Sequence, residues 1–156
     1  MRRCGWVLFL LLTCAPALAV AGWGPLWMGL PVDQARQALA REEIPFEEKR
    51  LHKDGMLLLC FSRGEWKGTV YFDEAEKISQ ILFQSPDYPD LAQAGQRLKE
   101  LEKQHGRSHD VDLDAYSDET RHDQDYHWYF SGCTLKLNIA RYDDHYVVWE
   151  KYSPVP

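Results

Sequence analysis

Cys133-Thr134-Leu135-Lys136-Leu137-Asn138-Ile139-Ala140 alternates without a break, Leu135, Leu137 and Ile139 on one side and Thr134, Lys136 and Asn138 on the other. A period of two marks a strand with one buried face, so this stretch predicts a half-buried antiparallel strand with Cys133 sharing the inward parity. Ahead of it, Tyr126 to Phe130 (YHWYF) is aromatic and strand-prone, and Ser131-Gly132 supplies the turn between them. Behind it, Arg141 to Asp144 turns the chain, and Tyr146 to Tyr152 reads as the last strand of the sheet. Asp110 to Tyr116 alternates acidic and apolar residues. The group is preceded by Leu91 to His105, where Leu91, Ala94, Leu98 and Leu101 recur at helical spacing and Gly106 is the stop signal.

The same order is legible upstream. Val32 to Arg41 sets Val32, Ala35, Ala38 and Leu39 on one stripe, with Asp33 in the first turn where the helix dipole favours an acid. Pro45 ends that helix near Ile44. Phe46 to His52 is a strand candidate, Lys53-Asp54-Gly55 a hairpin turn, and Met56 to Phe61 (MLLLCF) a strand apolar on both faces. After Arg63-Gly64, Lys67 to Phe72 alternates with Gly68, Val70 and Phe72 together; Ile78 to Phe83 is a fourth strand before the break at Pro86 to Pro89. The expectation is an α+β fold: tandem helix-plus-four-strand antiparallel repeats, 22–86 and 87–156, sharing one globular unit with the helices packed on one face of a sheet. Local echoes agree, Ala35-x-x-x-Leu39 with Ala94-x-x-x-Leu98 and Phe61-Ser62 with Phe130-Ser131.

Two motifs carry a family resemblance. Met28-Gly29-Leu30-Pro31-Val32-Asp33-Gln34-Ala35 is similar to the glycine-containing start of the helix in the repeats of the β-lactamase inhibitor proteins and of the SmpA/OmlA-type outer-membrane assembly lipoproteins. His127-Trp128-Tyr129-Phe130, followed by Leu135 to Ile139, resembles their Trp-x-Tyr strand pair. The resemblance implies a bacterial envelope or secreted protein that binds another protein. It departs in lacking a lipobox of the usual form, in carrying a long acidic loop in the second half, and in having no cysteine pair within each repeat. No functional residue carries over from it.

The 156 residues are 45% apolar and 13% aromatic, enough for one domain and too few for most large enzyme folds. Met1 to Ala21 reads as a signal peptide: Arg2 and Arg3, an apolar run from Trp6 to Leu12, Pro16, then small residues ending at Ala21. The run is short against the roughly 20 residues of a membrane span. Leu11-Leu12-Thr13-Cys14 approaches a lipobox, which would instead anchor the chain at Cys14. Cleavage after Ala21 predicts a periplasmic or secreted protein with no transmembrane segment. It takes two arginines and no acid, leaving 16 bases against 24 acids, a formal charge of −8. That balance argues against a nucleic-acid partner. Cleavage also leaves Cys60 and Cys133, which in an oxidising compartment form either one disulfide or two buried thiols.

His105 to His127 holds most of the ligand-type side chains. Asp110-x-Asp112-x-Asp114 opens like a calcium loop, because alternate carboxylates can converge on a hard cation, but Ala115 and Arg121 stand where an EF-hand needs Gly and Glu. A metal-dependent hydrolase built on 105–127 is the alternative function. No HExxH, Gly-x-Ser-x-Gly or phosphate-binding glycine loop is present, and the sequence implies no cofactor. The tryptophans and tyrosines exceed the needs of one small core. In the last strand Val147 and Trp149 point opposite to Tyr146, Val148 and Tyr152, so one set is expected on a sheet face away from the helices. The expected function is therefore non-catalytic protein binding, as by an inhibitor or assembly factor, with Trp128, Tyr129, Trp149 and Tyr152 as contacts.

Overall fold

The computed structural model describes residues 22–51 and 55–155, and the signal-peptide and lipobox readings lie outside them. A short ribbon of β1 (Gly22–Trp23) and β2 (Leu26–Trp27) leads to helix α1 (Val32–Arg41). There follow β3 (Phe46–Arg50), β4 (Leu57–Arg63), β5 (Trp66–Phe72) and β6 (Ile78–Gln84). Helices α2 (Leu91–Ala94) and α3 (Gln96–His105) then precede β7 (Asp110–Ser117), β8 (Arg121–Tyr129), β9 (Thr134–Tyr142) and β10 (Tyr146–Ser153).

The eight long strands form one antiparallel sheet in the order β3-β4-β5-β6-β10-β9-β8-β7. The expectation of an α+β fold of tandem helix-plus-strand repeats with helices on a sheet face is corrected by this arrangement. The protein is mostly β, with 51% of the described residues in strands and 18% in helices. Two physical causes separate the outcome from the reading. Between the stretches read as Asp110 to Tyr116 and Tyr126 to Phe130, Ser117 joins β7 and Arg121 to Asp125 join β8, which lengthens the sheet. The helices are short and add only narrow apolar stripes, Val32, Ala35, Ala38 and Leu39 from α1 and Ala94 and Leu101 from α2 and α3. The sheet, continuous through the β6–β10 pair, is the organising element.

Strand parity sets the core. Leu59, Val70, Ile81, Tyr152, Leu135 and Trp128 lie in one register row, and Phe61, Gly68, Phe83, Glu150 and Leu137 in the next. These apolar residues join those of the helices in a single buried cluster. Gly68 is where two aromatic rings meet: a Cβ there would lie 2.8 Å from Phe61 Cε2 and 3.0 Å from Phe83 Cε1, so any side chain would have to displace the rings. Leu91 to His105 is divided at Gly95 rather than continuous, and Asp90 caps its start by accepting from the Gln93 N–H at 2.9 Å. Gly106 ends α3 at φ +82°, where a side chain would be strained.

Glu150 sits in this core face with no exposed surface. Arg97 Nε donates to its Oε2 at 2.7 Å, Tyr152 Oη to its Oε1 at 2.7 Å, and Arg63 Nη2 to Oε2 at 3.3 Å. Burial opposes ionisation of Glu150, but the Arg97 bond and the two guanidinium charges outweigh it and hold the carboxyl below its ordinary value. Burial and the adjacent carboxylate push the Tyr152 phenol up, so it stays a donor.

The proposed Cys60–Cys133 disulfide is excluded by the topology. Cys60 is a free thiol in β4, whereas Cys133 is buried immediately before β9. Four strand steps at about 4.8 Å separate those strands by roughly 19 Å, beyond the ~7 Å limit between bridged Cα atoms. Burial raises the Cys133 thiol to about 11, so it stays protonated.

Candidate functional site

The second face of the sheet carries the alternate residues of every strand. The buried helix residues all belong to the core cluster on the first face, while the buried apolar residues of the second, Leu58, Ala140 and Val147, stand outside it. No helix among the described residues therefore backs this open face.

Parity divides the four expected contacts into two pairs. Trp149 is half-buried on the open face, and Tyr129 is exposed on the same face, its ring in stacked orientation with His109 and His127 at 6.0 and 6.2 Å. Trp128 and Tyr152 point the other way. Trp128 is fully buried, with Nε1 donating to the Gly106 carbonyl at 3.0 Å, and Tyr152 donates to Glu150. These two are core residues rather than contacts.

Around Trp149 the structure assembles residues not anticipated in the sequence. Arg121, at the start of β8, lies with its guanidinium carbon 5.2 Å from the Trp149 ring centroid, 5.5 Å from Tyr116 and 5.6 Å from Tyr142. Its Nε and Nη2 donate to the two carboxylate oxygens of Asp123, each at 2.6 Å. That fork fixes the guanidinium plane, and the bond to Asp123 raises the Arg121 pKa. Asp123 and Asp125 are buried, and Asn138 Nδ2 donates to both, at 3.0 and 2.8 Å. Lys136 closes the network with Nζ 2.5 Å from Asp125. The alternation of Lys136 and Asn138 opposite the inward leucines was the available signal for this network. Its acidic half was hidden because Asp123 and Asp125 have the composition of a loop.

The edge strand β7 bears exposed Asp110 and Asp112, followed by a register irregularity between Asp112 and Tyr116. Asp110 accepts from the Val111 N–H and Asp112 from the Asp114 N–H, so two of the three proposed calcium ligands turn back onto their own backbone. Asp118 organises the β7–β8 turn by accepting from Tyr116 Oη and the Thr120 and Arg121 N–H groups; these bonds, the Tyr116 bond foremost, lower its carboxyl to about 2. Among the described residues no three His, Cys, Asp or Glu side chains come together as a metal site, so the hydrolase alternative gains no geometric support.

No family model, no curated protein and no solved structure matches the chain. No helix among the described residues is long and apolar enough to cross a membrane.

Proposed function

We propose that this protein is an exported protein-binding module that captures its partner on the open face of the β7–β10 half of the sheet. The observation that carries the reading is the Trp149–Arg121 assembly: a half-exposed tryptophan beside a locked cation on a hydrogen-bonded floor, with no helix among the described residues over it. Aromatic and arginine side chains held rigid are what interface centres are made of, because they lose little freedom on contact. The acids of β7 and the β7–β8 turn flank this patch, so the fitting partner presents a basic segment. The resemblance to envelope binding proteins and the signal-like leader support export, and the same reading places the protein in the periplasm or outside the cell.

The test is capture from native envelope fractions by the wild type, by Trp149→Ala and by Asp110→Asn/Asp112→Asn. Both variants are expected to fold and to lose the partner, with capture by the wild type weakening as salt rises. Equal capture by all three, or capture insensitive to salt, would refute this assignment.

A further inference from the structure

On the opposite side of the sheet, a cleft of about 980 Å³ opens between the β1–β2 ribbon, the β4–β5 turn and α2–α3. That volume lies within the range of small-molecule sites. Trp23, Trp66 and Tyr88 give it flat apolar walls, and Arg63 and Arg97 give it charge.

Two guanidinium groups face a single fully buried carboxylate, Glu150, whose oxygens already accept from Arg97, Arg63 and Tyr152. The remaining acid, Glu100, meets Arg97 Nη1 at 3.0 Å from the rim, where it is 54% exposed and its charge is screened by water. Two guanidinium groups are thus met by two carboxylates, of which only Glu150 competes for them inside the cleft. Arg63 is the under-used partner, because its bonds to Glu150 are long, 3.3 and 3.5 Å. Its plane is fixed instead by rings, 4.2 Å from Phe83, 5.2 Å from Trp66 and 5.7 Å from Trp23. A planar fork beside flat apolar walls matches a carboxylate attached to an aromatic or apolar body. A dianionic phosphate would be repelled by both Glu150 and the rim carboxylate of Glu100.

We propose that this cleft is a binding site for a monocarboxylate with an apolar body, the carboxylate on Arg63 and Arg97 and the body against Trp23 and Trp66. The same chemistry is presented by a small aromatic acid and by the C-terminal residue of a peptide. The site is separate from the open face, so its failure would leave the partner-binding proposal untouched.

Tryptophans in the walls provide the readout. Intrinsic fluorescence of the full protein is titrated with phenylacetate and with an N-acetylated tripeptide ending in phenylalanine, each against its amide. A saturable change at or below about 1 mM with either acid, and none with its amide, is expected; the tighter acid identifies the source. Glu150→Gln removes the competing carboxylate and is expected to bind about tenfold tighter. Arg63→Gln is expected to lose binding. Arg63→Lys, which keeps the charge without the fork, is expected to weaken binding and covers the case in which the first Arg63 variant fails to fold. No saturable change with either acid, equal binding of acid and amide, or a folded Arg63 variant binding like the wild type would overturn the proposal.

Discussion

Replacing Arg97 by methionine tests the ionic core most directly. The substitution keeps an apolar stem of similar length but strips Glu150 of its shorter guanidinium bond, 2.7 Å, leaving Arg63 at 3.3 Å as its guanidinium partner. Breaking a buried pair from one side costs about 3–5 kcal/mol, because the abandoned charge stays out of water. At about 4 °C per kcal/mol for a chain of this size, melting should fall by roughly 12–20 °C. Arg63→Met should cost clearly less, since its bonds are longer and its head is wetter, 26% exposed against 19%. The double variant Arg97→Met/Glu150→Met should recover most of the loss, because removing both charges removes the desolvation cost as well. The pH dependence has a definite sign. Glu150 ionises more readily folded than unfolded, so its contribution is complete above the ordinary glutamate value of about 4.3 and fades as pH falls through the lower folded value. Urea denaturation followed by circular dichroism, repeated across pH, measures both effects. A loss under about 1 kcal/mol in Arg97→Met, or a double variant as weak as the sum of its singles, would refute the reasoning. So would an acid-side slope unchanged in Glu150→Gln.

Four further outcomes are expected. Gly68→Ala should cost about 1–3 kcal/mol by driving a methyl into the Phe61 and Phe83 rings, read from the urea midpoint. Trp128→Ala should cost about 3–5 kcal/mol while Trp149→Ala stays within about 1 kcal/mol, a contrast that thermal melting checks. Asn138→Asp adds a third carboxylate beside Asp123 and Asp125 and should cost at least about 2 kcal/mol at neutral pH. Relative to the wild type that deficit should shrink on acidification, because a carboxyl in such a cluster takes up its proton more readily folded than unfolded. Reductant should leave the melting temperature unchanged, since Cys60 is not cross-linked; a drop on adding it would contradict the topology.

What the sequence disclosed depended on how local the determining physics was. Leu135, Leu137 and Ile139 announce their strand because each residue's fate follows from its neighbours, and the opposed parity of Trp149 and Tyr152 was correctly separable for the same reason. Trp128 escaped that logic: it is as aromatic as a contact residue, and only the row it shares with Leu135 and Tyr152 shows that it faces the core. Asp123 and Asp125 were illegible because their burial depends on Asn138 and Lys136, which reach them from another strand. Glu150 is the extreme case. Its partners Arg97 and Arg63 lie 53 and 87 positions away, and nothing in their spacing ties the three together.

The order of strands has a consequence for synthesis. β10 occupies the middle of the sheet yet follows every other strand among the described residues, and β6 waits for it with one hydrogen-bonding edge open. During translation the earlier strands can pair with each other, but the two halves cannot be stitched until Tyr146–Ser153 has emerged. Until then β6 offers its edge to any extended chain nearby. A protein wired in this way benefits from being kept unfolded until its last strand is available, because only then can the β6 edge be covered by its own chain.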